Sequence, residues 1–272
     1  MSYALNIASK SLIWPFQLQT RLYGVKARSG RCLQSVTVPH VSIVIPVHNE
    51  VEFLGAAWAQ LGPDLERLDA EIAVYIVENG STDGTLAEAN GLNDPRITAL
   101  SLPTPDYGAA MRAGFREAVD SDWIVNFDID YFSVPFVRDL LETEADVVIA
   151  SKRAPGSDDR RSVLRRAGTL SFNTLLRVLF NSRVSDTHGI KGFRGEVIRE
   201  LLPSTTRTLD LFDTELVLRA ERAGYRIVEV PVVVEELREA RSSFVKRIPR
   251  TMKGLLQLRR SFSMEVRNTR SR

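Results

Sequence analysis

The strongest constraint on the fold is an alternation of short, β-branched apolar runs with helical stretches between residues 41 and 150. The first run, Val41 to Val47, reads VSIVIPV. Its nearly continuous apolar character is that of a strand buried on both faces of a parallel sheet. A helix is expected over Glu50–Leu61, then a strand over Ile72–Val77, and a helix to about Asn90 capped by Ser81 or Thr82. A strand over Ile97–Leu102 precedes a helix over Gly108–Val119, which sets Met111 and Phe115 on one face. Strand Trp123–Phe127, helix Val134–Glu144 and strand Asp146–Ala150 complete the series. Such a series predicts an α/β fold, a mostly parallel sheet flanked by helices, with ligands beyond the carboxyl ends of the strands.

The second half is less regular. A long amphipathic helix is expected over Arg160–Phe180, with Leu164, Leu170, Leu175, Leu176 and Leu179 in its apolar positions. Another runs from Asp213 to Ala223, stopped by Gly224. Pro231 marks Arg226–Val234 as an edge strand. Residues Val245–Arg260 read as a basic amphipathic helix. The expected organisation is an N-terminal extension over 1–40, interfacial or poorly ordered, a catalytic domain over 41–245, and a basic helix and tail over 246–272.

Charge separates these parts. Residues 1–40 carry five basic side chains and no acid, and residues 238–272 carry eleven basic residues against Glu239 and Glu265. Basic ends suit an anionic partner or a solvated tail. A nucleic-acid partner is not expected, because no aromatic platforms interleave the basic residues and no reading motif is present. The single cysteine, Cys32, excludes an internal disulfide. No apolar run reaches the ~18–20 residues of a membrane span. The N-terminal stretch lacks the features of a signal peptide; an interfacial anchor, a targeting segment and an upstream start codon all remain compatible with it.

Three polar clusters follow predicted strands. Pro46-Val47-His48-Asn49-Glu50 follows the first, with neither the glycine pattern of a dinucleotide site nor that of a P-loop. Taken alone it is equally a helix start capped by Asn49 or Glu50. Glu78-Asn79-Gly80-Ser81-Thr82-Asp83-Gly84-Thr85 follows the second, where Glu78 and Asn79 could bond a base or ribose and Asp83 is equally a first-turn helix acid. The third, Asn126-Phe127-Asp128-Ile129-Asp130, is sharper. Read as a strand end, it turns Asp128 and Asp130 to one side, where their repulsion invites a hard divalent cation, Mg²⁺ or Mn²⁺. The plain alternative is a pair of solvated loop acids.

As an ordered set, PVHNE, ENGSTDGT, the helix GAAMRAGFREA and the DID resemble glycosyltransferase family 2. So do ASKR at 150–153, DTHGIKGFR at 186–194, FDTEL at 212–216 and IVEVP at 227–231, which resemble the subgroup of polyprenyl-phosphate mannosyl- and glucosyltransferases. The resemblance implies a GT-A fold, inverting transfer and a nucleotide-sugar donor such as GDP-mannose or UDP-glucose. It implies that Pro46, His48, Glu50, Glu78, Asn79 and Asp83 line the donor pocket, that Asp128, Ile129 and Asp130 meet the metal and diphosphate, and that Arg241, Lys246 and Arg247 cover the donor phosphates. Two departures stand out. Glu78-Asn79 replaces the usual pair of aspartates, and Phe132 occupies a position where the subgroup often carries a metal-assisting glutamine.

The resemblance also implies a polyprenyl-phosphate acceptor, reached at the cytoplasmic face of a membrane by peripheral contact or through a membrane partner subunit. A phosphate acceptor arrives ionised and needs cations rather than a base. Lys152, Arg153, Arg160, Arg161, Arg165 and Arg166 supply them. For a hydroxyl acceptor, Asp186, Asp213 and Glu215 are the candidate bases, with His188 as a further one.

Overall fold

The computed structural model describes residues 21–23, 38–160, 163–206, 211–234 and 244–270. Its strands are β1 (Arg21–Tyr23), β2 (His40–Val47), β3 (Glu71–Asn79), β4 (Ile97–Leu102), β5 (Trp123–Asn126), β6 (Val147–Ser151), β7 (Asp158–Asp159), β8 (Lys191–Arg194), β9 (Ile227–Pro231) and β10 (Val233–Val234). Its α-helices are α1 (Val51–Leu65), α2 (Thr85–Gly91), α3 (Tyr107–Glu117), α4 (Val134–Glu142), α5 (Val163–Phe180), α6 (Gly195–Leu201), α7 (Phe212–Ala223) and α8 (Phe244–Arg270).

The main sheet has the order β1-β9-β6-β8-β5-β2-β3-β4. β5-β2-β3-β4 and β6-β9 pair in parallel, whereas β8 lies antiparallel between β5 and β6. The expected mostly parallel α/β sheet is therefore present. Strand β2 shows why its sequence is so apolar. Val41, Ile43, Ile45 and Val47 enter one core cluster, and Val44 enters the cluster on the opposite face. Each such side chain taken from water contributes about 1.5–3 kcal/mol.

Several boundaries differ from expectation. α2 begins at Thr85, with Gly84 as its N-cap at φ 93°, so neither Ser81 nor Thr82 caps it. β9 is not an edge strand. It pairs with β6 on one side and β1 on the other, and Pro231, at its last position, needs no central ladder bond. β1 takes the edge, so the structured chain includes a segment from the N-terminal extension. α8 is not only a surface helix. Leu255, Leu258 and Phe262 pack with Leu176, Leu211 and Leu218 in a third cluster between α5, α7 and α8.

Candidate active site

Strands β2, β3 and β5 deliver their clusters to one end of the sheet, and the first two clusters are laced together. Asn49, at φ 54°, accepts from Thr82 N (2.9 Å), and its own N–H donates to Ser81 Oγ (3.0 Å). Asn79 Nδ2 donates to Val47 O (2.8 Å), and His48 Nδ1 lies 2.8 Å from Asn79 O. Glu50 N donates to Thr85 Oγ1 (2.8 Å), and Glu50 itself is buried. Asp83 accepts from Val51 N (3.2 Å), Thr85 N (3.0 Å) and Thr85 Oγ1 (2.6 Å). Its carboxylate thus caps α1 from a neighbouring loop and also holds the start of α2, a frame role beside the donor role expected for it. Glu78 accepts from Ser101 Oγ (2.7 Å) and from Ser81 N. Although burial opposes it, these bonds hold its carboxyl below the usual glutamate range. Pro46 lies buried near the end of β2, paired with Val77.

Asp128 and Asp130 do not sit on an extended strand end. β5 stops at Asn126, and Asp128 and Tyr131 close a tight turn through Asp128 N→Tyr131 O (3.1 Å) and Tyr131 N→Asp128 O (3.0 Å). The alternation argument therefore fails here, yet the two carboxylates still act on each other. Burial first, then Asp213 and Asp130, raise the Asp128 pKa to about 6, against the pull of Lys191 and Lys152. Ile129 is buried, and Phe132 packs against Phe127 with ring centroids 6.4 Å apart.

The opposite wall comes from the loop before β8 and the start of α7. Asp186 is 1% exposed and pairs with Lys152 Nζ at 2.9 Å. It also accepts from His188 N (3.0 Å). Glu229 on β9 supports this loop, its Oε1 accepting from Ser185 N (2.9 Å), Ser185 Oγ (2.8 Å) and Asp186 N (3.2 Å). Lys191, fully buried, places Nζ 3.2 Å from Asp213 Oδ2 and also bonds Gly189 O. Tyr107 donates to the same Asp213 oxygen (3.3 Å), and burial, Asp213 and Asp128 push its phenol well above the usual tyrosine range. His188 reaches solvent at one edge, but the atoms crowded around it hold its pKa below the usual histidine value.

The three candidate bases thus part company. Asp213, 13% exposed and paired with Lys191, acts directly on Asp128. Asp186 is locked in an ion pair. Glu215, two residues on from Asp213, lies about 200° round the helix. It is wholly buried, ion-paired with Arg219 at 2.9 Å and bonded by Thr206 N, on the side of α7 that meets α8. Its role as a base is corrected accordingly. Of the cations, Lys152 enters the site, while Arg153 and Arg166 are exposed. Arg161 and Arg241, and the side chains of Lys246 and Arg247, lie outside the described residues. Sequence reasoning missed Lys191, Tyr107 and Glu229. The signal for two of them was a lone charge inside an apolar strand, IKGF and IVEVP.

Asp128 and Asp130 fit a hard divalent cation, since positive charge beside them would offset the burial and the carboxylate repulsion that together raise Asp128. Among the described residues no group of three or more His, Cys, Asp or Glu is placed to hold a metal. One or two carboxylates completed by phosphate and water oxygens is the usual Mg²⁺ arrangement.

Comparison with known proteins agrees with this geometry. The family pattern described as Glycosyl transferase family 2 matches residues 42–202. An undecaprenyl-phosphate mannosyltransferase of Micrococcus luteus is 31% identical over 75% of this chain and 87% of its own. A polyprenol monophosphomannose synthase of Mycolicibacterium smegmatis is 28% identical over 71% of this chain and 77% of its own. Among solved structures, glucosyl-3-phosphoglycerate synthase of Mycobacterium tuberculosis, in complex with Mn²⁺, UDP-glucose and phosphoglyceric acid, superposes with a TM-score of 0.62. It is 21% identical, over 81% of this chain and 79% of that one. The fold and the site define a glycosyltransferase of the GT-A class. Within that class, the chain belongs to glycosyltransferase family 2.

Proposed function

We propose that the enzyme transfers a hexose, with inversion, from a nucleotide-diphosphate sugar to the phosphate of a polyprenyl phosphate. The observation that carries this reading is the state of the candidate bases. Asp186 is paired with Lys152, Asp213 is paired with the buried Lys191, and Glu215 is turned into the core. An acceptor that arrives ionised needs no proton removed, and Lys152 offers it positive charge at the cleft wall. The names of the two relatives above support a lipid-phosphate acceptor and a mannosyl donor, within the choice of GDP-mannose or UDP-glucose.

Asp128 and Asp130 would hold Mg²⁺ or Mn²⁺, which when bound neutralises charge on the departing diphosphate. The laced loops of β2 and β3 would seat the nucleotide, with Pro46, His48, Glu50, Glu78 and Asn79 around it. Lys246 would approach the donor phosphates. Arg153, Arg161 and Arg166 would draw the acceptor phosphate toward Lys152. This chemistry would take place at the cytoplasmic face of a membrane, reached by peripheral contact or through a membrane partner subunit. No helix among the described residues is long and apolar enough to cross a membrane.

The test is nucleoside diphosphate release from GDP-mannose or UDP-glucose, with Mg²⁺ or Mn²⁺ and a short-chain polyprenyl phosphate, beside Asp128→Ala and Asp130→Ala. Release that requires the lipid phosphate and both aspartates supports the reading and identifies the donor. Release onto a hydroxyl acceptor alone would overturn it and make Asp213 the base, because it is the candidate that acts directly on Asp128.

A further inference from the structure

Helix α5 is apolar on two faces. Inward, Phe172, Leu175, Leu176, Leu179 and Phe180 pack in the cluster shared with α7 and α8. Outward, Val163, Leu170 and Val178 are 72%, 46% and 73% exposed. These three recur at spacings of seven and eight, so they form one stripe along the helix. Single exposed apolar residues are ordinary. A stripe on a helix without a single acid, flanked by exposed Arg166 and Arg177, is not. The outer side of α8 is similar, with Leu256 and Met264 exposed among Arg250, Lys253, Arg259 and Arg260, and its acid, Glu265, is paired with Arg219.

We infer that the outer face of α5, together with that of α8, is a docking surface for an anionic lipid bilayer. Apolar side chains alternating with cations, and no anion among them on α5, match an interface of acyl chains beneath negatively charged headgroups. The inner face of α5 gives the contact its purpose. Phe172 packs edge-on against His188 with ring centroids 4.9 Å apart, and Asn173 Nδ2 donates to Ser185 O in the loop that carries Asp186. A bilayer on the outer face therefore lies about one helix diameter, roughly 10 Å, from the cleft wall. A headgroup phosphate could enter the site while its chain stays in lipid. This inference deepens the proposed lipid-phosphate acceptor and rests on it for purpose, though not for its test.

The full chain would be sedimented with vesicles of phosphatidylcholine containing phosphatidylglycerol, and with phosphatidylcholine alone. Binding to the anionic vesicles is expected to exceed binding to the neutral ones. Arg177→Gln should weaken it about fivefold, and Leu170→Glu with Val178→Glu at least about tenfold. Circular dichroism and thermal melting should be unchanged, since these side chains point outward. Failure of the unaltered chain to bind would overturn the inference. So would full binding by the Leu170/Val178 variant. Turnover with a detergent-dispersed acceptor separates the two ideas. Absent transfer with intact vesicle binding would sink the acceptor assignment and leave the docking surface standing.

Discussion

The ammonium of Lys191 lies 3.2 Å from Asp213 Oδ2, and none of the lysine side chain is exposed. A buried charge is costly to leave without its counter-charge. Lys191→Met is expected to destabilise the protein by about 3–5 kcal/mol in urea unfolding, because Asp213 is left beside Asp128 without its counter-charge. Adding Asp213→Asn should recover much of that loss. An unchanged midpoint in the single variant would show that the pair contributes nothing to stability.

Asp128 ties stability to pH. Its folded pKa of about 6 lies above the ordinary aspartate value. The folded protein therefore keeps a proton that the unfolded chain has released, and stability falls as pH rises from about 4 to about 6. Asp128→Asn should stabilise the metal-free protein by up to about 3 kcal/mol at pH 7, with no gain below about pH 4. Melting temperature measured against pH reads this directly, and an equal gain at both ends would point to packing instead. Divalent-metal affinity in the unaltered protein should drop about tenfold for each pH unit below about 6.

Arg219 is 7% exposed and bridges wholly buried Glu215 to half-exposed Glu265 on α8. The two ends of this bridge should differ sharply in effect. Arg219→Ala is expected to cost about 3–5 kcal/mol, since Glu215 is left charged in the core. Glu265→Ala should cost at most about 1 kcal/mol, as solvent already screens it. Comparable losses in chemical denaturation would contradict this ordering.

Glu229 reaches the sheet end through Ser185 and Asp186, accepting from both backbone N–H groups and from Ser185 Oγ. Glu229→Ala removes three hydrogen bonds and should cost about 2–4 kcal/mol. Glu229→Gln keeps an acceptor and should retain most of the stability. In turnover assays, the alanine variant should lose apparent acceptor affinity through a misplaced Lys152, with the glutamine variant rescuing it. A loss confined to stability would assign Glu229 to the frame alone.

Much of the first half was legible in the sequence because burial on both sheet faces requires unbroken apolar strands, and VSIVIPV can serve little else. The DID could be read as a charge conflict without its geometry, which is a turn rather than a strand end. Less could be read where a residue's meaning depends on a distant partner. Lys191 is intelligible only beside Asp213, and Glu229 only beneath Ser185. Asp83 looked like an acid of its own helix, yet one of its oxygens belongs to α1, 32 residues earlier. The assignment of Glu215 as a base could have been avoided, since helical geometry alone turns it away from Asp213.

The antiparallel strand β8 has a consequence for how the protein comes into being. It is the piece that joins β5 to β6, yet it is made after both. A nascent chain emerging from the ribosome through β6 holds a parallel sheet with an open edge and a later strand with no neighbour there. Insertion of Lys191–Arg194 closes that gap and brings the loop of Asp186 against the turn of Asp128 in a single event. Catalytic competence should arise later still, once α7 brings Asp213 to Lys191 and β9 brings Glu229 beneath Ser185. Until β8 inserts, the unfilled edge is the place where a chaperone has most reason to bind.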